Sequence, residues 1–302
     1  MLKRLAYSVF FGNYFYGCCT VALAVEASMQ QNFTLNSPAF YAFIFCATVL
    51  FYTYAYIKEY PASATNKRSN WYTAHYKKIR YTQLVLAIIC VLLLGMLLIK
   101  NFNGLIAIPP VYLVLPAVSF LVALAYYGIP LAPGLQFNLR NTGWFKPFVI
   151  GFVWSTMVTY MPLLWHVAEQ KSNYQLSIIN AWLFVKNFMY ISLLAILFDI
   201  KDYKEDHNRK LKTFVVELGL KKTIFFIIVP LTLIGFIALL LFAYVVHFPA
   251  LRIIINSIPF VLLLIVAWSM QNKKSILYYL VVIDGLMLVK ALCGITAALL
   301  VK

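Results

Sequence analysis

The sequence predicts an all-α integral membrane protein, a bundle of nine transmembrane helices around a cavity that opens to the cytoplasmic side. Three observations lead there. The chain is 63% hydrophobic and 11% charged, with a mean hydropathy of +0.84, a composition that a soluble domain does not carry. It contains nine apolar stretches able to cross about 30 Å of hydrocarbon at ~20 residues each. Its basic residues alternate from one side of these stretches to the other, which fixes a topology.

In chain order the spans fall near residues 5–25, 37–57, 79–99, 105–127, 145–165, 176–200, 223–246, 253–268 and 275–301. The first follows Lys3 and Arg4 as the apolar core of a signal peptide would. No small-residue cleavage site comes after it, so it is expected to be a retained span. The fourth contains Pro109, Pro110 and Pro116, which predict a kink or a late helix start. The eighth is the shortest. No soluble domain or low-complexity tract interrupts the pattern, and residues 1–302 are expected to form a single transmembrane domain.

The formal net charge is +16. With the N-terminus inside, 19 of the 25 Lys and Arg fall on inner segments, four on outer ones, and two (Lys186 and Lys290) within spans. That asymmetry is the positive-inside rule, and it puts the N-terminus in the cytoplasm and the C-terminus outside. The charge serves topology and contact with anionic lipids, and nucleic acid is not an expected partner. Cys18, Cys19, Cys46, Cys90 and Cys293 lie in or beside apolar spans without CxxC spacing, and read as small buried hydrophobes.

Outer connections are short, with residues 26–36 among the longest; the inner ones, 58–80, 128–144 and 201–222, are longer and carry the chemistry. Irregular backbone at a membrane face is expected to cap a cavity rather than meet lipid. The richest run begins where the sixth span reaches its basic flank: Asp199-Ile-Lys-Asp202-Tyr-Lys-Glu-Asp206-His-Asn-Arg-Lys-Leu-Lys212-Thr213. Continued as a helix, it places Asp199, Asp202 and Asp206 on one stripe at i, i+3 and i+7, with Tyr203 and Lys210, while Lys201, Lys204 and Glu205 point elsewhere. Three carboxylates on one face repel each other unless a cation lies between them. Hard oxygen ligands at this spacing suit Mg²⁺, which takes one or two carboxylates and completes its shell with phosphate oxygens and water. The plainer reading is a solvated charged face at a helix end.

These residues carry a resemblance. Asp199-x-x-Asp202-x-x-x-Asp206, with Leu211-Lys212-Thr213 and Leu218-Gly219 after it, resembles the second aspartate motif of the UbiA family of intramembrane prenyltransferases. Tyr126-Tyr127-Gly-Ile-Pro130 through Arg140, then Lys146-Pro147 and Gly151-x-x-Trp154-Ser155, is similar to that family's connection between its fourth and fifth helices. The resemblance covers nearly the whole chain. It implies a nine-helix fold and transfer of an isoprenyl group from its diphosphate to a lipophilic acceptor, aromatic or lipid. It implies Mg²⁺ as cofactor, held by Asp199, Asp202 and Asp206. Asp202, Asp206 and Lys212 would be catalytic, and Lys67, Arg68, Arg140 and Lys212 would meet the diphosphate. Such a reaction needs the charge on its leaving group neutralised and a dry aromatic wall for the allylic cation; 24 Phe, 21 Tyr and 6 Trp are available.

One departure bears on all of this. The family's first motif, Asn-x-x-x-Asp-x-x-x-Asp, should lie near residues 51–70, where this chain has no Asp and Glu59 is the one acid. Either Lys58, Lys67, Arg68 and Arg140 take over part of the missing metal's work, with Glu59 a remnant ligand, or the chain is a catalytically inactive relative that binds an isoprenoid or a partner.

Asp284, Lys290 and Lys186 are costly within spans, about 2.5 to 3.5 kcal/mol each on insertion scales, so they are expected to face the bundle interior and find partners. Asp284 lies at a depth suited to the floor of a cytoplasm-facing cavity, where it would orient an acceptor hydroxyl or pair with a cation from another helix. Asp284 and Lys290 are not natural partners along one face. A transporter relaying charge through these residues is a further reading, opposed by the lack of inverted repeats. Asn187 reads as interhelical glue, and the four histidines have no ligand spacing.

Overall fold

The computed structural model describes residues 2–58, 67–132, 135–171, 177–208, 210–272 and 274–300. Glu59 lies outside the described residues. Among them, seven helices are long and apolar enough to cross a membrane, and a bent pair makes an eighth candidate. The bundle is therefore helical and membrane-like. Among the described residues the one sheet is a two-stranded antiparallel hairpin, β1 (Ile129–Ala132) with β2 (Leu135–Phe137), inside a connection expected to be irregular.

The bent pair is the first departure from the expected spans. Helix α1 (Leu2–Phe11) and α2 (Tyr14–Gln30) meet at 62°. Asn13 takes the left-handed conformation at the break, φ 64°, which Asn tolerates better than most residues. Its side chain is tied down, donating from Nδ2 to Thr53 Oγ1 at 3.0 Å and to Tyr72 Oη at 3.1 Å. Because the chain turns there, α2 continues to Gln30 and carries Glu26 inside the bundle. The sequence reading had placed Glu26 in an outer connection; the apolar run ended at residue 25, but the helix did not.

Next come α3 (Pro38–Lys58), the short α4 (Lys67–Ala74), α5 (Tyr76–Lys100) and α6 (Phe102–Ile106). The expected span at 105–127 is shortened as its prolines predict. Pro110 opens a 3₁₀ turn, and α7 (Val114–Tyr126) follows. Residues Pro110–Tyr126 cover about 25 Å at 1.5 Å per residue, less than the hydrocarbon core.

Four long helical segments follow: α8 (Gly143–Gln170), α9 (Ile178–Asn208), α11 (Leu220–Val245) and α12 (Ala250–Ser269), with the short α10 (Phe214–Leu218) before α11. The last helix is α13 (Ile276–Leu300). Burial separates the centre from the rim. The spanning windows of α8 and α9 are 67% and 61% buried, whereas those of α5 and α11 are 11% and 22% buried. On α5, Leu84, Val91, Leu92 and Ile99 point outward, as side chains facing lipid do.

The two central helices approach closely at Gly151, where an added Cβ would lie 2.1 Å from Ser192 Oγ and 2.8 Å from the Phe188 carbonyl oxygen. Small residues at such crossings let backbones pack without lipid between them. Asn187 Nδ2 donates to Thr159 Oγ1 at 2.7 Å across the same pair of helices, the interhelical role expected of it. Leu23, Val158, Ile196, Leu197, Ile224, Leu263 and Ile283 form the main apolar core. Three π-helical turns interrupt the spans at Thr156–Tyr160, Ile224–Ile228 and Tyr279–Ile283.

The buried charges find partners, though not all of those foreseen. Glu26 is fully buried. Its Oε2 accepts from Lys290 Nζ at 2.7 Å, and Lys186 Nζ lies 3.8 Å from Oε1. Gln30 Nε2 donates to Glu26 Oε1 and to Asn256 Oδ1, each at 3.2 Å, and Lys186 Nζ reaches Asn256 at 3.1 Å. This network joins α2, α9, α12 and α13.

Candidate functional site

Alternating helix directions bring the end of α3, the end of α7, the start of α8 and the last turns of α9's apolar run to one end of the bundle. A cavity of about 450 Å³ opens there, within the range of small-molecule sites. Eleven residues separate Lys146 at its mouth from Met157, also in its wall, about 16 Å at helical rise. The deeper walls are Thr20, Thr48, Met157, Ile191 and Met287.

The mouth is charged. Arg68, Arg140, Lys146 and Lys201 supply cations, and Asp199 and Asp202 supply carboxylates. Lys146 Nζ pairs with Asp199 Oδ1 at 2.6 Å, and Lys201 Nζ with Asp202 Oδ2 at 3.3 Å. Lys201 was expected to point away from the aspartate stripe; its long stem instead lays the ammonium over Phe198, 5.2 Å from the ring centroid, and brings it to the cavity. Lys146 also lies within electrostatic reach of Asp206. A lysine from the neighbouring helix thus offsets part of the repulsion along the stripe.

Of the three stripe carboxylates, the structure brings Asp199 and Asp202 to the cavity. Asp206 is buried one turn further on and is not part of the wall. Its carbonyl accepts from Leu211 N at 2.9 Å, which closes the end of α9, and its Oδ2, like that of Asp199, is buried without a hydrogen bond. Tyr203 is exposed.

The expected diphosphate cations divide as well. Arg68 is 4% exposed and in the wall, whereas its neighbour Lys67 points to solvent, since adjacent helical residues face different ways. Arg68 Nη2 donates to the Phe11 carbonyl at 3.1 Å and to Asn13 Oδ1, and its guanidinium stacks 4.6 Å from the Tyr56 ring centroid. Its Nε is buried with no hydrogen-bond partner. Arg140 reaches the wall from the 3₁₀ turn after the hairpin, where Asn138 Oδ1 accepts from its backbone N at 2.9 Å. Lys212 is exposed and absent from the wall. What Lys212 contributes is backbone: at Gly143, with φ +64°, a Cβ would lie 2.5 Å from its carbonyl oxygen.

An aromatic wall stands beside the charged mouth. Tyr16 and Tyr52 stack at 4.6 Å with an interplanar angle of 4°, and the Trp154 indole donates to the Tyr52 hydroxyl. Below Arg68, Tyr72 donates to the Phe11 carbonyl at 2.8 Å, and burial pushes its hydroxyl pKa up to about 12, so it remains a donor at neutral pH. Asp284 is 4% exposed and in the cavity wall, its Oδ1 accepting from Tyr16 Oη at 3.0 Å.

The donor chemistry fits a Mg²⁺ ion held by two carboxylates. Asp199 Oδ2 is buried without a hydrogen-bond partner, and Asp202 stands one turn away at the mouth. Among the described residues, no group of three or more His, Cys, Asp or Glu is gathered as a metal site. Sequence reasoning missed Lys146 as a site residue. The signal was available: a lysine opening a helix opposes the macrodipole and implies a nearby anion. Asn13, Tyr16 and Tyr52 gave no signal, because the kink and the α2–α3 packing bring them in. Compared with known proteins, the chain matches no family model, no curated protein and no solved structure.

Proposed function

We propose that this chain is a nine-crossing intramembrane prenyltransferase of the UbiA type, moving an isoprenyl group from its diphosphate to a lipophilic acceptor. The observation that carries the reading is the division of a single cavity into a charged mouth and an aromatic and aliphatic interior. An amphiphile with an anionic head and an apolar chain matches both halves at once. Arg68 and Arg140, both in the cavity wall, bind the diphosphate. Lys146 and Lys201 keep the aspartates in place and add positive charge where the leaving group develops its own. Asp199 and Asp202 would hold Mg²⁺, which supplies Lewis-acid neutralisation of the diphosphate when bound. Tyr16, Tyr52 and Trp154 exclude water and present ring faces to the allylic carbon. The N-terminus is cytoplasmic on the charge asymmetry, and the cavity opens to that side.

A second reading has its own support. Lys146 already neutralises Asp199 at 2.6 Å, and the segment where the first aspartate motif belongs has no Asp; both suit an inactive relative that binds an isoprenoid. Transport is less well supported, since Glu26, Lys186 and Lys290 lie outside the cavity wall and form a separate network.

The test is binding of geranylgeranyl diphosphate to purified protein with and without Mg²⁺, on wild type and Asp202→Asn, followed by a product assay. Mg²⁺-dependent binding lost in the variant, together with diphosphate release, supports the transferase. Binding that ignores Mg²⁺ and yields no product selects the inactive relative. Absence of binding under both conditions rules out both.

A further inference from the structure

Lys186 and Lys290 lie within spans and share one carboxylate. Lys290 Nζ takes it closely, 2.7 Å from Glu26 Oε2, whereas Lys186 Nζ stands 3.8 Å from Oε1. Lys186 otherwise donates to Asn256 Oδ1 at 3.1 Å, a neutral partner, and lies over the Trp182 ring, 5.1 Å from its centroid. Arg252, one turn before Asn256, adds a further positive charge within electrostatic reach. Among the described residues no second carboxylate pairs with this group. Two ammonium groups against one carboxylate leave a positive charge over, and at that depth it is costly unless something offsets it.

The surplus ammonium is not sealed inside the bundle. A cavity of about 40 Å³ lies between α9, α11 and α12, with Lys186 in its wall, and it shares no wall residue with the larger cavity. Its other walls include Val185 and Met189 on α9, Gly235 and Ala238 on α11, and Phe260 on α12. Val185 and Ala238 are exposed on the outside of the bundle, so this cavity adjoins the face of α11 that meets lipid. Gly235 keeps it open: an added Cβ would lie 3.1 Å from Phe260 Cε1 and 3.8 Å from Met189 Cε, both in the wall. Lys186 and Asp199 are about 20 Å apart along α9 at helical rise, which makes the site remote from the charged mouth.

We infer that this crevice binds the carboxylate of a long-chain fatty acid, with Lys186 as its counter-ion and the alkyl chain lying along α11 in the lipid. The inference does not rest on the transferase reading. Charge sets the class of ligand: a monoanion balances the two-to-one group, and an ammonium–carboxylate hydrogen bond is among the stronger ones. Size narrows it. A single water needs about 10–15 Å³ of cavity, so this one takes about three non-hydrogen atoms. That is the size of a carboxylate, and too little for a phosphodiester with both its ester arms. The surroundings decide the rest, since apolar walls open to lipid suit an amphiphile that arrives through the bilayer.

The experiment measures retention of tritium-labelled palmitate by purified full-length protein in an uncharged detergent. Expected is saturable binding of one palmitate per chain, undisturbed by methyl palmitate. In Lys186→Met it should weaken about tenfold or more, the loss of one charged hydrogen bond. That variant leaves the Glu26–Lys290 pair balanced, so it is expected to fold. Gly235→Ala, which keeps every charge and narrows the cavity, should weaken binding as well. Binding that survives in Lys186→Met, retention at the mouth of the larger cavity included, overturns the inference, as does the absence of saturable binding. Should Lys186→Met fail to fold, Gly235→Ala decides, and unchanged affinity there overturns it. Displacement by sodium chloride but not by sodium gluconate at equal ionic strength would mark a site for a small aqueous anion. Competition by phosphatidylglycerol as effective as that by unlabelled palmitate would mark a general anionic-lipid site. Either result overturns the assignment.

Discussion

At Lys146 a cation occupies the first turns of α8, the end at which the helix macrodipole disfavours positive charge. Asp199 compensates it, and the pair is largely out of solvent, with side-chain exposures of 16% and 3%. Removing one member leaves a charge without its partner, at a cost of about 3–5 kcal/mol for a buried pair. Lys146→Met is therefore expected to lower unfolding stability by about 3 kcal/mol, and adding Asp199→Asn should recover more than half of the loss. Denaturant unfolding in detergent checks this, and a double variant no more stable than Lys146→Met alone would contradict the pairing. Arg68 makes a separate prediction. A lysine there cannot reproduce a guanidinium bonded to Phe11 and Asn13 while presenting another N–H to the cavity. Arg68→Lys should weaken diphosphate binding about tenfold, close to 1.4 kcal/mol, and Lys67→Ala should leave it within about twofold. Equal losses in a titration of geranylgeranyl diphosphate would mean that both residues face the ligand.

Helix crossings set the position of the site. At Gly151 the central pair α8 and α9 is in contact through backbone and Ser192, so any larger residue pushes Lys146 and Asp199 apart as well as costing packing. Gly151→Val is expected to destabilise by about 1–3 kcal/mol or more and to reduce diphosphate binding with it. Gly95 on α5 is the control: nothing lies within 4 Å of an added Cβ, and Gly95→Ala should be neutral or stabilise by up to ~1 kcal/mol. Thermal unfolding of the two variants gives the comparison, and a larger loss at Gly95 would reverse the assignment of centre and rim. Much at this scale was legible beforehand. The late start of α7 followed from Pro109 and Pro110, and the long apolar runs located the main helices to within a few residues. The break at Gly12–Asn13 was not legible, because Asn13 is stable in its left-handed conformation through bonds to Thr53 and Tyr72, residues forty and fifty-nine positions away.

For the whole molecule, the network around Glu26 matters most. Two ammonium groups from α9 and α13 share one buried carboxylate on α2, and α12 joins the network through Asn256. Glu26→Gln leaves Lys186 and Lys290 without a counter-ion and is expected to cost about 3–5 kcal/mol. Glu26→Gln combined with Lys290→Met should cost less than Glu26→Gln alone; unfolding midpoints of the three proteins test this, and additive losses would show that the residues do not act as a unit. Topology is the second prediction. The charge asymmetry expects a tag at the N-terminus to resist protease added outside sealed cells and a tag at the C-terminus to be cut. The opposite pattern would place the cavity on the other side of the membrane.

The sequence by itself determined the solvent, the class and the approximate spans, because hydropathy and charge distribution are local sums that need no knowledge of what packs where. It also singled out Asp199, Asp202, Arg68, Arg140 and Asp284, all of which line one cavity. Which of its charges meet was decided by tertiary structure alone. Lys146 lies fifty-three residues from Asp199 and Lys290 lies 264 from Glu26, and no periodicity along one chain encodes such distances. Lys67, Asp206 and Lys212 lie outside the cavity wall, the two lysines facing solvent and Asp206 buried one turn beyond it. A side chain's direction depends on helix phase and on the neighbour that covers it, and both are fixed only when the bundle closes.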